Sequence, residues 1–169
     1  QMAVARYYRF SEKSTLVTSG GMGTMGFGLP ASLGAASGNP GRPVVAFIGD
    51  GGFQMTLQEL GTIMQYQIPV KIILLNNSFL GMVRQWQQMF FNGRYASTEM
   101  VNPDFMALAG AYGITAHRVT HREDLREAIV TMLAAEGPYI LETVISREAN
   151  ILPMVEPGAS VSEVTLTYR

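Results

Sequence analysis

Short runs of apolar and β-branched residues recur at even spacing along the chain, at residues 15–18, 44–48, 70–75, 114–119 and 139–145. The second and third are almost wholly apolar, as expected of parallel strands covered on both faces. Helical patterns lie between them. Residues 53–66 place Leu57, Leu60, Ile63 and Met64 at helical spacing. Residues 103–112 read as a helix with Asn102 as N-cap and Pro103 at its first position. A third helix follows Thr120, with Thr120 and Glu123 as a capping box and Gly137 as its C-terminal stop. Alternation of strand and helix predicts an α/β domain, a doubly wound parallel sheet with helices on both faces. No internal repeat, low-complexity tract or second domain interrupts the pattern. Residues 147–169, with Pro153, Pro157 and Gly158, read as an irregular C-terminal extension.

At 169 residues the chain has the size of one domain with a proper core. A hydrophobic fraction of 47% against 15% charged residues is on the apolar side of the soluble range, consistent with a large core or with apolar surface facing a partner. A formal net charge of −1 gives no electrostatic reason to expect nucleic acid or an anionic membrane as partner. The absence of cysteine excludes disulfides, thiolate chemistry and sulfur-ligated metals. No apolar run approaches the roughly 20 residues of a membrane span. The start at Gln1 shows no signal-peptide pattern and no initiator Met, so a piece of a longer chain is expected.

In sheets of this type ligands bind beyond the carboxyl ends of the strands. Gly49-Asp50-Gly51-Gly52 lies there, directly after one apolar strand and directly before a helix. Glycines without side chains let backbone N–H groups approach a phosphate at the positive end of a helix. Two adjacent phosphates carry more charge than that cradle neutralises, so a cation is expected, with Asp50 supplying a hard carboxylate oxygen. Asn76-Asn77 ends the next strand, and the 24 residues between Gly51 and Asn76 suit one helix and a return strand. Asp50 and Asn77 then share one sheet edge. A carboxylate, an amide oxygen, a backbone carbonyl and phosphate oxygens suit octahedral Mg²⁺.

Taken singly, Gly-Asp-Gly after a strand is more often a turn, and Asn-Asn is usually a loop. In this order and at this spacing they match the thiamine-diphosphate signature. The rival is a nicotinamide- or flavin-binding domain, because Gly21-Met22-Gly23-Thr24-Met25-Gly26 fits the dinucleotide fingerprint and Asp50 ends the next strand where a ribose-binding acid would sit. That reading has no use for the two glycines after Asp50 or for Asn76-Asn77. The metal reading uses both. His117 and His121 stand four apart but lack the Glu of a zinc motif, and read as ordinary polar residues.

The segment from Ser19 to Pro30, Ser-Gly-Gly-Met-Gly-Thr-Met-Gly-Phe-Gly-Leu-Pro, resembles the one that approaches the cofactor's central ring in acetolactate (acetohydroxyacid) synthases. Gly81-Met82-Val83-Arg84-Gln85-Trp86-Gln87 is similar to their substrate-facing segment, and Asn102-Pro103-Asp104-Phe105 and Leu152-Pro153-Met154-Val155 also match. The likeness thus covers nearly the whole chain and identifies it as the C-terminal thiamine-diphosphate-binding domain of the catalytic large subunit. Gly-Asp-Gly with Asn-Asn marks only the superfamily, which includes pyruvate decarboxylases, pyruvate oxidases and glyoxylate carboligases. Ala3, where the family often has Trp, and Ser78-Phe79, in place of a more polar pair, are mild departures.

The resemblance implies that Asp50, Asn77 and the backbone oxygen of Phe79 hold Mg²⁺, and that Gly51 and Gly52, beside Gly49, donate N–H groups to the diphosphate. It implies that the Gly23 carbonyl meets the aminopyrimidine and that Met25 wedges under the cofactor, although ordinary core packing is the commoner fate of a Met. Gly81 and Met82 border the cofactor, and Met82 and Trp86 line the substrate channel. The reaction implied is decarboxylation of pyruvate and carboligation with a second 2-keto acid, giving acetolactate or acetohydroxybutyrate for branched-chain amino acid synthesis. The cofactor carries the bond chemistry.

The same resemblance implies FAD, bound in the full-length enzyme through a domain absent here, and a homodimer or higher oligomer, with a regulatory small subunit as a further candidate partner. It implies cytoplasm in a bacterium or an organelle in a eukaryote. The activating glutamate belongs to a separate domain of a neighbouring subunit. Glu59, about 10 Å down a continuous helix, and Glu99, in a loop, are poor substitutes, so the chain is read as half of an active site. A non-catalytic cofactor-binding or regulatory module is the alternative of a different class.

Overall fold

The computed structural model describes residues 1–11 and 15–167. In chain order, α1 (Met2–Tyr7) and α2 (Gly28–Gly38) precede β1 (Val44–Gly49). Then come α3 (Asp50–Gln54), a 3₁₀ turn (Leu57–Glu59), α4 (Leu60–Tyr66) and β2 (Val70–Asn76). They are followed by α5 (Gly81–Phe90), α6 (Phe105–Ala111), β3 (Thr115–Val119), a 3₁₀ turn (Arg122–Asp124), α7 (Leu125–Ala134) and β4 (Tyr139–Val144). β5 (Met154–Val155) and β6 (Val164–Thr165) pair antiparallel within the tail.

The four main strands run parallel in the order β1-β2-β4-β3. Alternate side chains point to opposite faces, and each face has its own core. On one, Ala46, Ile48, Val70, Ile72, Leu74 and Ile140 pack under Leu29 and Leu33 of α2, Phe53, Leu60 and Ile63, and Phe105 and Ala109 of α6. On the other, Ile73, Val119, Tyr139 and Leu141 meet Ala128 and Met132 of α7. The expected parallel α/β sheet with helices on both faces is what forms. Phe53 and Phe105 meet edge to face at 5.7 Å, a contact worth about 0.5–1.5 kcal/mol beyond its buried area. That contact ties α3 to the start of α6, which matters for the site below. No helix among the described residues is long and apolar enough to cross a membrane.

Several local expectations are corrected. Residues 15–18 form no strand: Leu16 and Val17 are exposed, and nearby amides close turns instead, Gly20 N–H on the Thr18 carbonyl and Gly23 N–H on that of Ser19. The single helix over 53–66 is broken after Gln54, because Thr56 leaves helical backbone and its hydroxyl donates to the Gly26 carbonyl at 2.9 Å. Glu59 therefore sits in the 3₁₀ turn and accepts from the Thr62 hydroxyl. Glu99 is in a strand-like bridge with Phe79 rather than a plain loop.

The N-cap of α6 is Asp104, whose carboxylate accepts from Met106 N–H at 3.0 Å, and Asn102 is two residues too early to cap. Thr120 and Glu123 form no capping box, since the 3₁₀ turn starts on the carbonyl of His121 and α7 begins only at Leu125. That helix ends at Ala134, before Gly137. The buried ammonium of Lys71 sets the turn there, donating to the Ala135 carbonyl at 2.6 Å and to that of Gly137. The tail is held to α5 by Gln85, 2% exposed, which both donates to and accepts from the backbone of Ile151 at 2.9 Å.

Candidate functional site

Parallel pairing places Gly49 opposite Leu75, so Asp50 and Asn76 leave the sheet side by side. Asp50 opens α3, where a carboxylate is favoured by the free N–H groups and positive end of the helix. It is 1% exposed. Its Oδ1 accepts from Gly51 N–H at 3.0 Å, and its Oδ2 accepts from Ser78 N–H at 2.7 Å and from the Asn102 amide at 2.8 Å. Ser78 takes a left-handed φ of 57°, which turns its N–H inward and starts the loop leading to α5. The Asn77 side-chain oxygen accepts from Phe79 N–H at 3.1 Å. Leu80 N–H on the Thr98 carbonyl and Met100 N–H on that of Ser78 then lay residues 98–100 against the loop, delivering Asn102 to the sheet edge.

A continuous polar chain underlies this edge. Asn102 Nδ2 donates to Asp50 and, at 2.9 Å, to Asn76 Oδ1, while Gln54 Nε2 donates to Asn102 Oδ1 at 2.8 Å. Asn76 Nδ2 donates to Glu142 at 2.6 Å. Glu142 is 1% exposed, and a buried carboxylate needs a charged partner. Arg118 Nε supplies it at 2.6 Å, and Arg118 also reaches Asp104 at 2.8 Å. The hydrogen bond to Glu142 is the main cause that pushes the Arg118 pKa up from its ordinary value. An open groove lined by Asn76, Ser78, Met100, Asn102, Arg118 and Glu142 follows the same edge.

The expected site residues are brought together unevenly. Gly49, Asp50, Gly51 and Gly52 form the β1–α3 turn, and Asn77, Phe79, Gly81 and Met82 form the β2–α5 loop and first turn of α5. A Cβ on Gly51 would stand 2.5 Å from the Leu80 side chain, so the two loops touch at that glycine. The segment carrying Gly23 and Met25 reaches the turn through Gly26, where a Cβ would lie 3.2 Å from Met55 and Thr56 at a φ of +86°. Met25 itself is 45% exposed and belongs to neither core cluster. Trp86 is 38% exposed on the outer side of α5 and packs edge to face on Phe90 at 5.4 Å. His117 and His121 are exposed, and no cluster of three or more metal-ligating acids or histidines occurs among the described residues.

Gln54, Asn102, Glu142 and Arg118 were missed as site residues. A lone acid inside the apolar run Tyr139–Val144 was the available signal for Glu142. A carboxylate offers about four acceptor directions, and three of Asp50's are taken, leaving one on Oδ1. The Asn77 oxygen keeps one of two, and the Phe79 carbonyl is a third hard oxygen on the same loop. This donor set and the tight glycine turn fit an anion-bound divalent cation.

The family described as thiamine pyrophosphate enzyme, C-terminal TPP binding domain, matches residues 1–143. The chain belongs to this family. This TPP-binding domain is 48% identical over 165 residues to the acetolactate synthase isozyme 2 large subunit of Escherichia coli, covering 97% of the chain and 30% of that protein. It is 46% identical to chloroplastic acetolactate synthase 2 of Brassica napus, covering 97% and 27%. It is 45% identical to mitochondrial acetolactate synthase of Schizosaccharomyces pombe, covering 98% and 25%. The TPP-binding domain thus spans under a third of the length of these relatives. Among solved structures, a thiamine diphosphate-dependent 4-hydroxybenzoylformate decarboxylase of Rhodococcus jostii superposes with a TM-score of 0.67 at 36% identity, covering 73% of this chain and 24% of that one. The relatives bear out the resemblance read from the Ser19–Pro30 and Gly81–Gln87 segments.

Proposed function

We propose that this domain supplies the diphosphate and metal half of the active site of an acetolactate-synthase-type carboligase, which joins pyruvate to a second 2-keto acid. The observation that carries the reading is the buried Asp50 at the start of α3, pinned through one oxygen to the β2–α5 loop with an acceptor direction left on the other. In this reading Asp50, Asn77 and the Phe79 carbonyl would hold Mg²⁺, and Gly52 would offer its N–H group to the diphosphate, as would Gly51 once its N–H leaves Asp50 Oδ1. Gly23 and Met25 approach the rings. When bound, thiamine diphosphate supplies the electron sink for decarboxylation and carbon–carbon bond formation. The chain's own contribution is to bind, orient and shield. Met82 and Trp86 border the path of the acceptor acid.

Neither carboxylate weighed as a substitute activator is free: Glu59 accepts from Thr62, and Glu99 is ion-paired to Arg147 at 2.6 Å. The activating group is therefore assigned to another domain of an oligomeric full-length enzyme, as is any FAD. The named relatives, bacterial, chloroplastic and mitochondrial, are compatible with branched-chain amino acid synthesis in a bacterial cytoplasm or an organelle. The test is Asp50→Ala in the full-length protein, followed by calorimetry with thiamine diphosphate and Mg²⁺. Loss of both ligands together, with activity down at least about 100-fold, is expected for a metal-bridged site. Undiminished, metal-independent cofactor binding would overturn the assignment.

A further inference from the structure

We propose that Asn102 is a positioning residue that fixes the rotation of the Asp50 carboxylate so that Oδ1, and not Oδ2, faces the cation; the inference rests on the metal reading above. The direction of every amide in the chain of hydrogen bonds follows from its charged end. Glu142 is held by Arg118 at 2.6 Å and, as a carboxylate, only accepts, so the Asn76 amide must turn its NH₂ toward it. The Asn76 oxygen then faces Asn102 and, like Asp50 Oδ2, has one acceptor direction left beside the Ser78 N–H that the two oxygens share, at 3.1 and 2.7 Å. Asn102 Nδ2 has two hydrogens and gives one to each. A flipped Asn102 would set its oxygen against two acceptors. Gln54 Nε2, bonded to Asn102 Oδ1 at 2.8 Å, guards against that flip.

With Asn102 and Ser78 N–H both on Oδ2, the open acceptor direction falls on Oδ1. Without Asn102 the carboxylate keeps only the bond from the adjacent Gly51 N–H on Oδ1 and Ser78 N–H on Oδ2, so each oxygen has one open direction. The second donor on Oδ2, from Asn102, removes that choice and leaves Oδ1 alone open. Mg²⁺ demands near-ideal octahedral geometry, whereas Ca²⁺ tolerates varied ligand directions and numbers. A loosened carboxylate therefore penalises Mg²⁺ more than Ca²⁺, and that ratio separates orientation from general destabilisation.

The experiment uses the metal-stripped full-length protein, with thiamine diphosphate fixed and Mg²⁺ or Ca²⁺ titrated by calorimetry. Asn102→Ala is expected to raise the Mg²⁺ dissociation constant about 10-fold or more, the usual scale for losing an outer-shell partner, with a clearly smaller rise for Ca²⁺. Gln54→Met, a near-isostere that removes only the guard on the flip, should move the same ratio by a smaller factor. It decides the matter should Asn102→Ala not fold. Unchanged Mg²⁺ affinity in a folded variant, or equal losses for both ions, overturns the proposal. Asp50→Ala run in parallel separates the two levels. Mg²⁺ binding that survives in Asp50→Ala refutes the site itself. Mg²⁺ binding lost there, but untouched by Asn102→Ala and Gln54→Met, refutes only the role of Asn102.

Discussion

The β1–α3 turn and the segment 15–27 meet at Gly26 and are both rich in glycine, yet they are held in opposite ways. In the turn Asp50 is 1% exposed, and its oxygens accept from Gly51, Ser78 and Asn102, which lie on three different stretches of chain. In the segment, residues 20–25 are exposed, Met22 at 89%, and before Gly26 the bonds are short-range, such as Thr24 N–H on the Ser19 hydroxyl, apart from the Gln1 amide on the Ser19 carbonyl. One region has its geometry set by the fold. The other has few contacts beyond itself until Gly26, the pattern of a region that orders with a ligand or a covering partner. On the proposed function, the difference leaves the anion and metal end to this chain's own folding and the ring end to something added.

The strongest way to break that contrast is to ask the isolated chain for turnover. With Glu59 and Glu99 both engaged, acetolactate formation from pyruvate should be below detection, and adding the pyrimidine-binding domain that the proposed function assigns to the full-length enzyme should restore it by at least the roughly 10²–10⁴-fold that a general acid–base group contributes. Enzyme-like rates from the purified chain alone, measured by acetolactate assay, would refute the division of labour.

Next in size is a ladder of three glycine substitutions read by denaturant unfolding. Gly26→Ala forces a side chain into φ +86° with contacts at 3.2 Å on Met55 and Thr56, and should cost about 1–3 kcal/mol. Gly51→Ala meets the mobile ends of Leu80 and Met100, which can yield, so about 1 kcal/mol is expected. Gly21→Ala finds nothing within 4 Å and should stay within about 0.5 kcal/mol. A Gly21 cost equal to that of Gly26 would mean the segment is as constrained as the turn.

The outer side of α5 belongs with the open segment. Trp86 packs on Phe90, is 38% exposed and belongs to neither core cluster, so Trp86→Leu should leave folding and cofactor affinity almost unchanged. In the full-length enzyme it should shift products from acetohydroxybutyrate toward acetolactate by about 1 kcal/mol, a few-fold, as loss of contact to one methylene implies. An unaltered product ratio at fixed pyruvate and 2-ketobutyrate would reduce Trp86 to packing.

How much of this was legible in the sequence depended on range. The buried strands announced themselves because an almost wholly apolar run such as Val-Lys-Ile-Ile-Leu-Leu needs cover on both faces, and Asp50 and Asn77 followed from where those strands end. Residues 15–18 misled because a short apolar and β-branched run carries no information about whether a neighbouring strand exists. Asn102 misled differently: beside Pro103 it has the local features of a helix cap, and only a fold that brings it against Asp50, 52 positions away, gives its amide other partners. Local rules see spacing, whereas the polar chain is made of contacts among distant stretches.

The smallest effect expected concerns the outer end of that chain, where Arg118 joins buried Glu142 to exposed Asp104. The Asp104 pKa is lowered, first by the hydrogen bond from Met106 N–H and then by Arg118. A carboxylate with a depressed folded pKa stabilises the fold at pH values above its unfolded pKa, near 3.8. That contribution disappears as pH falls from there through the folded value. Asp104→Asn keeps a good N-cap, since Asn caps as well as Asp, but neither titrates nor pairs with Arg118 as an ion. Its urea midpoint should lie slightly below that of the parent at pH 7 and converge on it below pH 3.8, because the parent alone loses the charge. Asp104 is fully solvated and screened, so the gap should narrow further in high salt. If the two midpoints stay parallel down to acid, the Arg118–Asp104 contact adds no charge-dependent stability, and the chain of charges ends at Arg118 and Glu142.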